Sequence, residues 1–259
     1  MTNSALLSLI CLSVIQGITE WLPISSSGLL VIFEEAVMLE DKNKNLLFNI
    51  AAHTGSLVAV VIYFKKEIFS IINNIPLLQN IIIATTPVVI FGFMIKVLNI
   101  NLFLQDIKIV AYATIFFSII LYFCDKVSVK IKFNKNISNR NALYIGLAQV
   151  LALIPGTSRS GITISCARYL GFSRLDSAKF SFLISIPTLF AATVLGIGEV
   201  ALNFDRDLII LLLVGFSFSL IVSLLSIKVF LSFVEKHSLT IFVIIRLILG
   251  FLLLFYLAN

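Results

Sequence analysis

Charge is scarce in this chain of 259 residues: Asp, Glu, Lys and Arg together make up 12% of it, and histidine occurs twice. Ordinary soluble domains carry about 25% charged and about 45–50% apolar residues. Here the apolar share is 59%, with 23 phenylalanines, which excludes an ordinary soluble enzyme. Cysteine is nearly as rare. Cys11, Cys124 and Cys166 lie scattered in or beside apolar stretches with no metal-ligand spacing, so they read as small buried hydrophobes. The stretch Met1 to Ala5 lacks a positive n-region, and no small-residue cleavage pattern follows it, so a cleaved signal peptide is not expected. The net charge of +6 comes from basic residues placed between apolar runs rather than on one folded face, which speaks for membrane orientation and against nucleic acid.

What the chain has in abundance is long apolar runs, at about 5–22, 27–39, 46–64, 77–98, 106–123, 141–154, 161–170, 178–198, 208–234 and 239–257. A helix needs about 20 residues to cross a hydrocarbon layer of roughly 30 Å. Six runs are long enough and four are not. The short ones pair as 5–22 with 27–39 and 141–154 with 161–170, each pair split by a Pro/Ser/Gly-rich break. Such pairs predict helical hairpins that enter the bilayer and turn back. The connections 65–76 and 124–140 show no strong alternation and read as loops, the second linking two halves.

The breaks are Pro23-Ile24-Ser25-Ser26-Ser27-Gly28 and Pro155-Gly156-Thr157-Ser158-Arg159-Ser160-Gly161. Laying Gly28 on Gly161 displaces the chain by 133 residues, and the same shift pairs Gln16 with Gln149 and each of three spans with one of the other three. The expected fold is an all-α polytopic membrane protein, one integral domain over 1–259, built from repeats at 1–125 and 140–259. One hairpin and three spans per half make an odd number of crossings, so the second half sits upside down: an inverted repeat with six transmembrane helices and two re-entrant hairpins. Charge placement supplies an orientation. One side collects Lys65, Lys66, Lys126, Lys130, Lys132, Lys135, Arg140, Arg174, Lys179 and Lys236, against Lys42, Lys44, Lys108 and Arg206 on the other, so the first is cytoplasmic and both termini lie outside.

Irregular backbone at membrane depth is tolerated only against protein or a wet cavity, so both hairpin tips imply a polar cavity. Ser25, Ser26 and Ser27 precede one short apolar run, and Thr157, Ser158 and Ser160 precede the other, where N-caps and first-turn amides belong. Two helix starts facing one cavity suit a multiply charged anion such as phosphate. Arg159 needs a partner at that depth, either an anion gripped by its planar fork or Glu20, and the two readings are compatible. Glu20 follows Gln16 by four residues and shares its helix face, so it can serve as a base, a proton store or a ligand for a divalent cation, Mg²⁺ or Ca²⁺. His53, in the small-residue stretch Ala51-Ala52-His53-Thr54-Gly55, can activate a serine or water, protonate a leaving group, or simply pack. Trp21 reads as lining a lipid mouth or anchoring at the interface. Arg168, Arg174, Asp176 and Lys179 read as snorkelling anchors and loop contacts.

The stretch Gln16-Gly17-Ile18-Thr19-Glu20-Trp21-Leu22-Pro23-Ile24-Ser25-Ser26-Ser27-Gly28, followed by Pro155-Gly156-Thr157-Ser158-Arg159-Ser160-Gly161-Ile162-Thr163, resembles the two signature motifs of the bacterial undecaprenyl-diphosphatase family of the bacitracin-resistance type. The resemblance covers the chain from the first motif to the last spans. It implies a hydrolase that converts undecaprenyl diphosphate to undecaprenyl phosphate and inorganic phosphate, recycling the lipid carrier for peptidoglycan and conferring bacitracin resistance. It also implies interlocked inverted repeats in the bacterial inner or plasma membrane, with a site opening to the outer, periplasmic face. By this resemblance Gln16 and Glu20 match the glutamate-rich motif, Ser27 a proposed nucleophile or phosphate ligand, and Arg159 the phosphate-binding arginine. His53 falls in a span where many members carry histidine. One departure stands out: members generally carry histidine where this chain has Leu29, so the base falls to His53, Glu20 or water. The partners expected are undecaprenyl diphosphate and membrane lipid, not nucleic acid, with a homodimer left open. A transporter or flippase of a phosphorylated polyprenyl lipid is the rival reading, since inverted repeats with broken helices suit it equally.

Overall fold

The structure, a computed structural model, describes residues 3–26, 29, 42–72, 74–98, 106–131, 137–197 and 206–258. Ser27, Gly28 and most of the 27–39 arm lie outside the described residues, as do Lys132 and Lys135. The helices in chain order are α1 (Asn3–Thr19), α2 (Lys42–Tyr63), α3 (Lys65–Ile72), α4 (Ile75–Val97), α5 (Ile107–Asp125), α6 (Asn139–Val150), α7 (Arg159–Tyr169), α8 (Arg174–Ile197), α9 (Arg206–Lys236) and α10 (Thr240–Ala258). No strand forms among the described residues beyond an isolated bridge between Ile131 and Phe172. The protein is all-α and polytopic: α2, α4, α5, α8, α9 and α10 are long and apolar enough to cross a membrane.

Local chemistry fixes several helix starts. Asn74 and Asp106 accept the backbone N–H of Leu77 and Lys108, and Ser138 and Ser158 accept those of Asn141 and Gly161, satisfying amides that have no intrahelical partner. One expectation is overturned here. The stretch from Lys65 is a helix, α3, rather than a loop; it resumes after a turn at Phe64, whose carbonyl accepts from Ile68. At eight residues it is too short to show a helical period clearly against its neighbours.

The apolar distribution is that of a protein dissolved in hydrocarbon. Ile82, Phe93, Phe116, Phe123, Val229 and Phe255 are exposed, whereas serines fill the seams. Ser56 on α2 bonds Ser219 at 2.9 Å and Ser223 at 3.0 Å on α9. Gly55 lets these helices touch, for a Cβ there would stand 2.3 Å from the Phe216 carbonyl. Small residues and interhelical hydroxyl bonds are how helices associate where lipid tails are as apolar as leucine. Cys11 corrects its sequence reading in the same way. It is exposed beside Leu7 on an outer apolar face, and Cys124 and Cys166 are only partly buried.

Two sets of contacts run side by side. α1 packs along α9 and α6 along α4; α2 lies on α9 and α8 on α4; α5 pairs with α10 and α2 with α8. Below them an aromatic column of Trp21, Phe182, Phe230 and Phe242 runs through the main core, with successive centroids 5.0, 5.8 and 5.4 Å apart. α6 has 12 residues and α7 has 11. At 1.5 Å per residue neither exceeds about 18 Å, well short of a bilayer core. α7 ends where the connection into α6 begins, the Gly171 carbonyl accepting from the backbone N–H of Lys130 and Ile131. Asp125 ties that end together, accepting from Arg174 at 2.6 and 3.0 Å and from the Leu239 N–H at 3.1 Å. Arg168 corrects its reading as a snorkelling anchor: it is buried and donates to the carbonyls of Phe172, Asp125 and Val127.

Candidate functional site

The site begins with the turn between α6 and α7. After a single 3-10 turn at Leu151–Leu153, Gly156 takes φ +93° with its α-carbon against α5, where a Cβ would lie 2.3 Å from the Val110 carbonyl. Ser158, the N-cap of α7, takes φ +65°, a left-handed conformation that a non-glycine residue holds only where its surroundings enforce it. Its hydroxyl accepts from the Gly161 N–H at 3.2 Å. This turn aims Arg159, the first residue of α7, across to α1.

There Arg159 Nη2 donates to Glu20 Oε1 at 2.7 Å, and Nη1 donates to the Ser181 carbonyl on α8 at 3.2 Å. The guanidinium carbon lies 5.6 Å from the centroid of the Trp21 ring, within cation–π range. Trp21 thus serves neither as a lipid mouth nor as an interfacial anchor. It is fully buried, edge-on to Phe182, and forms the floor under the arginine.

Glu20 extends α1 by one residue, its N–H bonded to the Gln16 carbonyl at 3.0 Å. Gln16 Nε2 donates to Glu20 Oε2 at 2.9 Å and lies 3.1 Å from His53 Nε2. His53 Nδ1 sits 2.7 Å from the Asn49 carbonyl. A carbonyl can only accept, so Nδ1 carries the proton, and Nε2 accepts from the Gln16 amide with its lone pair turned into the site. That lone pair stands 3.7 Å from Glu20 Oε2. The side chains grade from enclosed to open: Glu20 is 9% exposed and His53 35%. Glu20 lies in the turn after α1, outside the six spans. Burial pushes its carboxyl up, and the charges of Arg159 and His53 with the hydrogen bonds from Arg159 and Gln16 outweigh that, holding it below the ordinary carboxylate value.

The remaining expected residues divide. Ser160 belongs to the cluster; its hydroxyl donates to the Leu22 carbonyl at 3.0 Å, tying α7 to the turn after α1, and lies 3.4 Å from the Ser158 hydroxyl. Thr157 turns inward, its hydroxyl buried with no hydrogen-bond partner. Ser25 is buried, its carbonyl accepting from the Leu29 N–H, and Ser26 is half-buried beside it. Leu29, at the position where histidine was expected, packs against the main core and the cluster of Val110, Ala111, Leu249 and Leu253.

Among the described residues no three His, Cys, Asp or Glu side chains gather to hold a metal. Each Glu20 oxygen accepts one hydrogen bond, from Arg159 and from Gln16. Sequence reasoning missed the Asn49 and Ser181 carbonyls, which carry no side-chain signal. It also left Arg246 unplaced, although a charged residue inside an apolar run is itself a signal.

Comparison with known proteins matches residues 9–252 to the family described as Bacitracin resistance protein BacA. A relative from Pelagibacter ubique (strain HTCC1062), named undecaprenyl-diphosphatase, is 41% identical over 257 residues, covering 99% of each chain. A second of that name from Campylobacter curvus (strain 525.92) is 41% identical, covering 95% of this chain and 97% of its own. A third from Ruegeria pomeroyi (strain ATCC 700808 / DSM 15171 / DSS-3) is 35% identical, covering 96% and 98%.

Proposed function

This chain belongs to the bacitracin resistance protein BacA family, and from that membership we propose that it hydrolyses undecaprenyl diphosphate to undecaprenyl phosphate and inorganic phosphate. The observation that carries the reading onto this chain is the single linked group Arg159–Glu20–Gln16–His53, which unites the two signature motifs and the first span.

Arg159 exchanges part of its hold on Glu20 for oxygens of the terminal phosphoryl group, which the first-turn amides of α7 and the hydroxyls of Ser158 and Ser160 also face. The attacking oxygen, of water or of the Ser27 hydroxyl, gives its proton to His53 Nε2 as it bonds to the terminal phosphorus. The anhydride P–O bond breaks and its electron pair leaves with undecaprenyl phosphate; if Ser27 attacks, a water then releases the phosphate from it. His53 fills the role left open by Leu29 once the Gln16 amide, which holds the single Nε2 lone pair at 3.1 Å, turns to the entering phosphoryl oxygens. Glu20 then faces the imidazolium at 3.7 Å and stabilises it. Neutralising and positioning charge supplies most of the acceleration. A Mg²⁺ or Ca²⁺ ion would be held by Glu20 together with the diphosphate oxygens and would neutralise part of their charge.

The two halves are related as inverted repeats with re-entrant hairpins, a reading supported by the exchange of contacts between them and by the short α6–α7 pair that returns to its starting end. The basic excess at that end supports a cytoplasmic orientation for it in a bacterial plasma membrane, with the site facing the outer side. The test is release of phosphate from undecaprenyl diphosphate by the purified protein in detergent. Turnover is expected; binding without release would overturn hydrolysis in favour of transport.

A further inference from the structure

Arg246, on α10, is fully buried inside a span, yet it faces no carboxylate among the described residues. Its Nη2 donates to three backbone carbonyls, those of Thr157 at 2.9 Å, Gly156 at 3.1 Å and Thr114 at 3.4 Å. Nη1 and Nε have no hydrogen-bond partner, and neither has the buried Thr157 hydroxyl beside them. Nη1 occupies the space that a side chain at residue 161 would fill, 2.6 Å from the Cβ position of Gly161 and so against the first turn of α7. An arginine at membrane depth costs a few kcal/mol even on insertion scales and is normally paired. Here carbonyl dipoles answer one nitrogen, and among the described residues no carboxylate compensates the charge. It lies behind the same helix start whose front carries Arg159, where the helix dipole is also positive.

We propose that Arg246 is the fixed second cation of the anion site, its guanidinium acting across the first turn of α7 on the phosphoryl group that docks at that N-terminus. The inference rests on the hydrolase reading for the identity of the natural ligand, but its physical content is affinity for a multiply charged phosphate. Arg159 shares its charge with Glu20 and so offers the ligand only part of a positive charge. Arg246 shares with no carboxylate among the described residues, and its charge acts through a low-dielectric interior where screening is weak. A diphosphate docked at that helix start then lies in the field of two guanidinium groups, Arg159 in contact and Arg246 packed against the first turn.

Trp21 is the sole tryptophan and lies under Arg159, so its fluorescence in the purified full-length protein reports inorganic pyrophosphate binding without turnover. Arg246→Gln keeps a donor for the carbonyls and removes the charge. It should weaken pyrophosphate on the order of 10- to 100-fold and raise KM for undecaprenyl diphosphate more than it lowers kcat. Arg246→Lys, which keeps the charge, should restore most of that affinity. Gly161→Ala retains every charged group and pushes Nη1 off the helix start, so it should weaken pyrophosphate severalfold. Wild-type affinity in folded Arg246→Gln would overturn the proposal. If that variant does not fold, wild-type affinity in Gly161→Ala would do so, as would a wild-type protein that does not bind pyrophosphate. Pyrophosphate binding by a wild-type protein that releases no phosphate from the lipid would refute the hydrolase reading and leave the anion site standing.

Discussion

At the level of single residues, the link between Arg159 and Glu20 is the contact on which the chemistry turns. Arg159→Ala removes the fork that reaches both Glu20 and the ligand, and should lower phosphate release by about 10²- to 10³-fold, as loss of a preorganised charge-stabilising donor does elsewhere. Arg159→Lys should recover little, because one ammonium cannot span Glu20 and the Ser181 carbonyl together. Glu20 makes the same pair visible through pH. Its carboxyl is held below the ordinary value in the folded protein, so its stabilising contribution is complete above about pH 4.3 and is lost as pH falls through the depressed value. Thermal unfolding in detergent should therefore show an acid-side fall in midpoint that Glu20→Gln flattens; an unchanged acid limb would show that Glu20 does not titrate with folding. The residues of this pair were legible in the sequence because their chemistry is unusual inside apolar runs. Trp21 was not, since an indole gives the same signal at an interface and under a guanidinium. Nor was the tautomer of His53, which is set by the Asn49 carbonyl.

At the level of elements, the six spans could be read directly because hydrocarbon demands length, and length is countable. The seams between them were harder to read, since they rest on which glycine meets which backbone. Gly55 is such a point, with α9 pressed against it, and Gly146 is its counterpart on α6, where a Cβ would stand 2.6 Å from the Ala84 carbonyl of α4. Both obstructions are backbone, which cannot swing aside. Gly146→Ala should force α6 from α4 and cost about 1–3 kcal/mol, the usual penalty of overpacking. The α6–α7 turn carries Arg159, so phosphate release should fall along with the unfolding midpoint. Gly92 supplies the control on α4. A Cβ there meets only Leu153 at 3.6 Å, so Gly92→Ala should leave the midpoint nearly unchanged. Equal loss in both variants would show that close approach is not what glycine provides at residue 146. The short α3 escaped sequence reading for the opposite reason: eight residues offer only about two turns of periodicity.

At the level of the whole molecule, the proposed topology makes claims about sidedness that labelling can read. One span, α4, separates Lys66, just after α2, from Lys108, at the start of α5, so the two exposed lysines belong on opposite sides of the membrane. The basic bias assigns Lys66 to the cytoplasm and Lys108 to the outside. Replacing the native Cys11, Cys124 and Cys166 and then introducing Lys66→Cys or Lys108→Cys singly gives two reporters for an impermeant thiol reagent. In intact spheroplasts the cysteine at 108 should react and that at 66 should not, and in inverted vesicles the pattern should reverse. The same reagent locates the site. His53→Cys, on the open side of the site, should be reached from the outer face alone, and pyrophosphate should slow its labelling if the phosphoryl group docks there. Labelling of that cysteine only from the cytoplasm would overturn the outward opening proposed for the site. Access from each side in turn, shifted by the ligand, would instead mean that the inverted halves rock about the Arg159–Glu20 contact, and transport rather than hydrolysis would be the activity that this architecture performs.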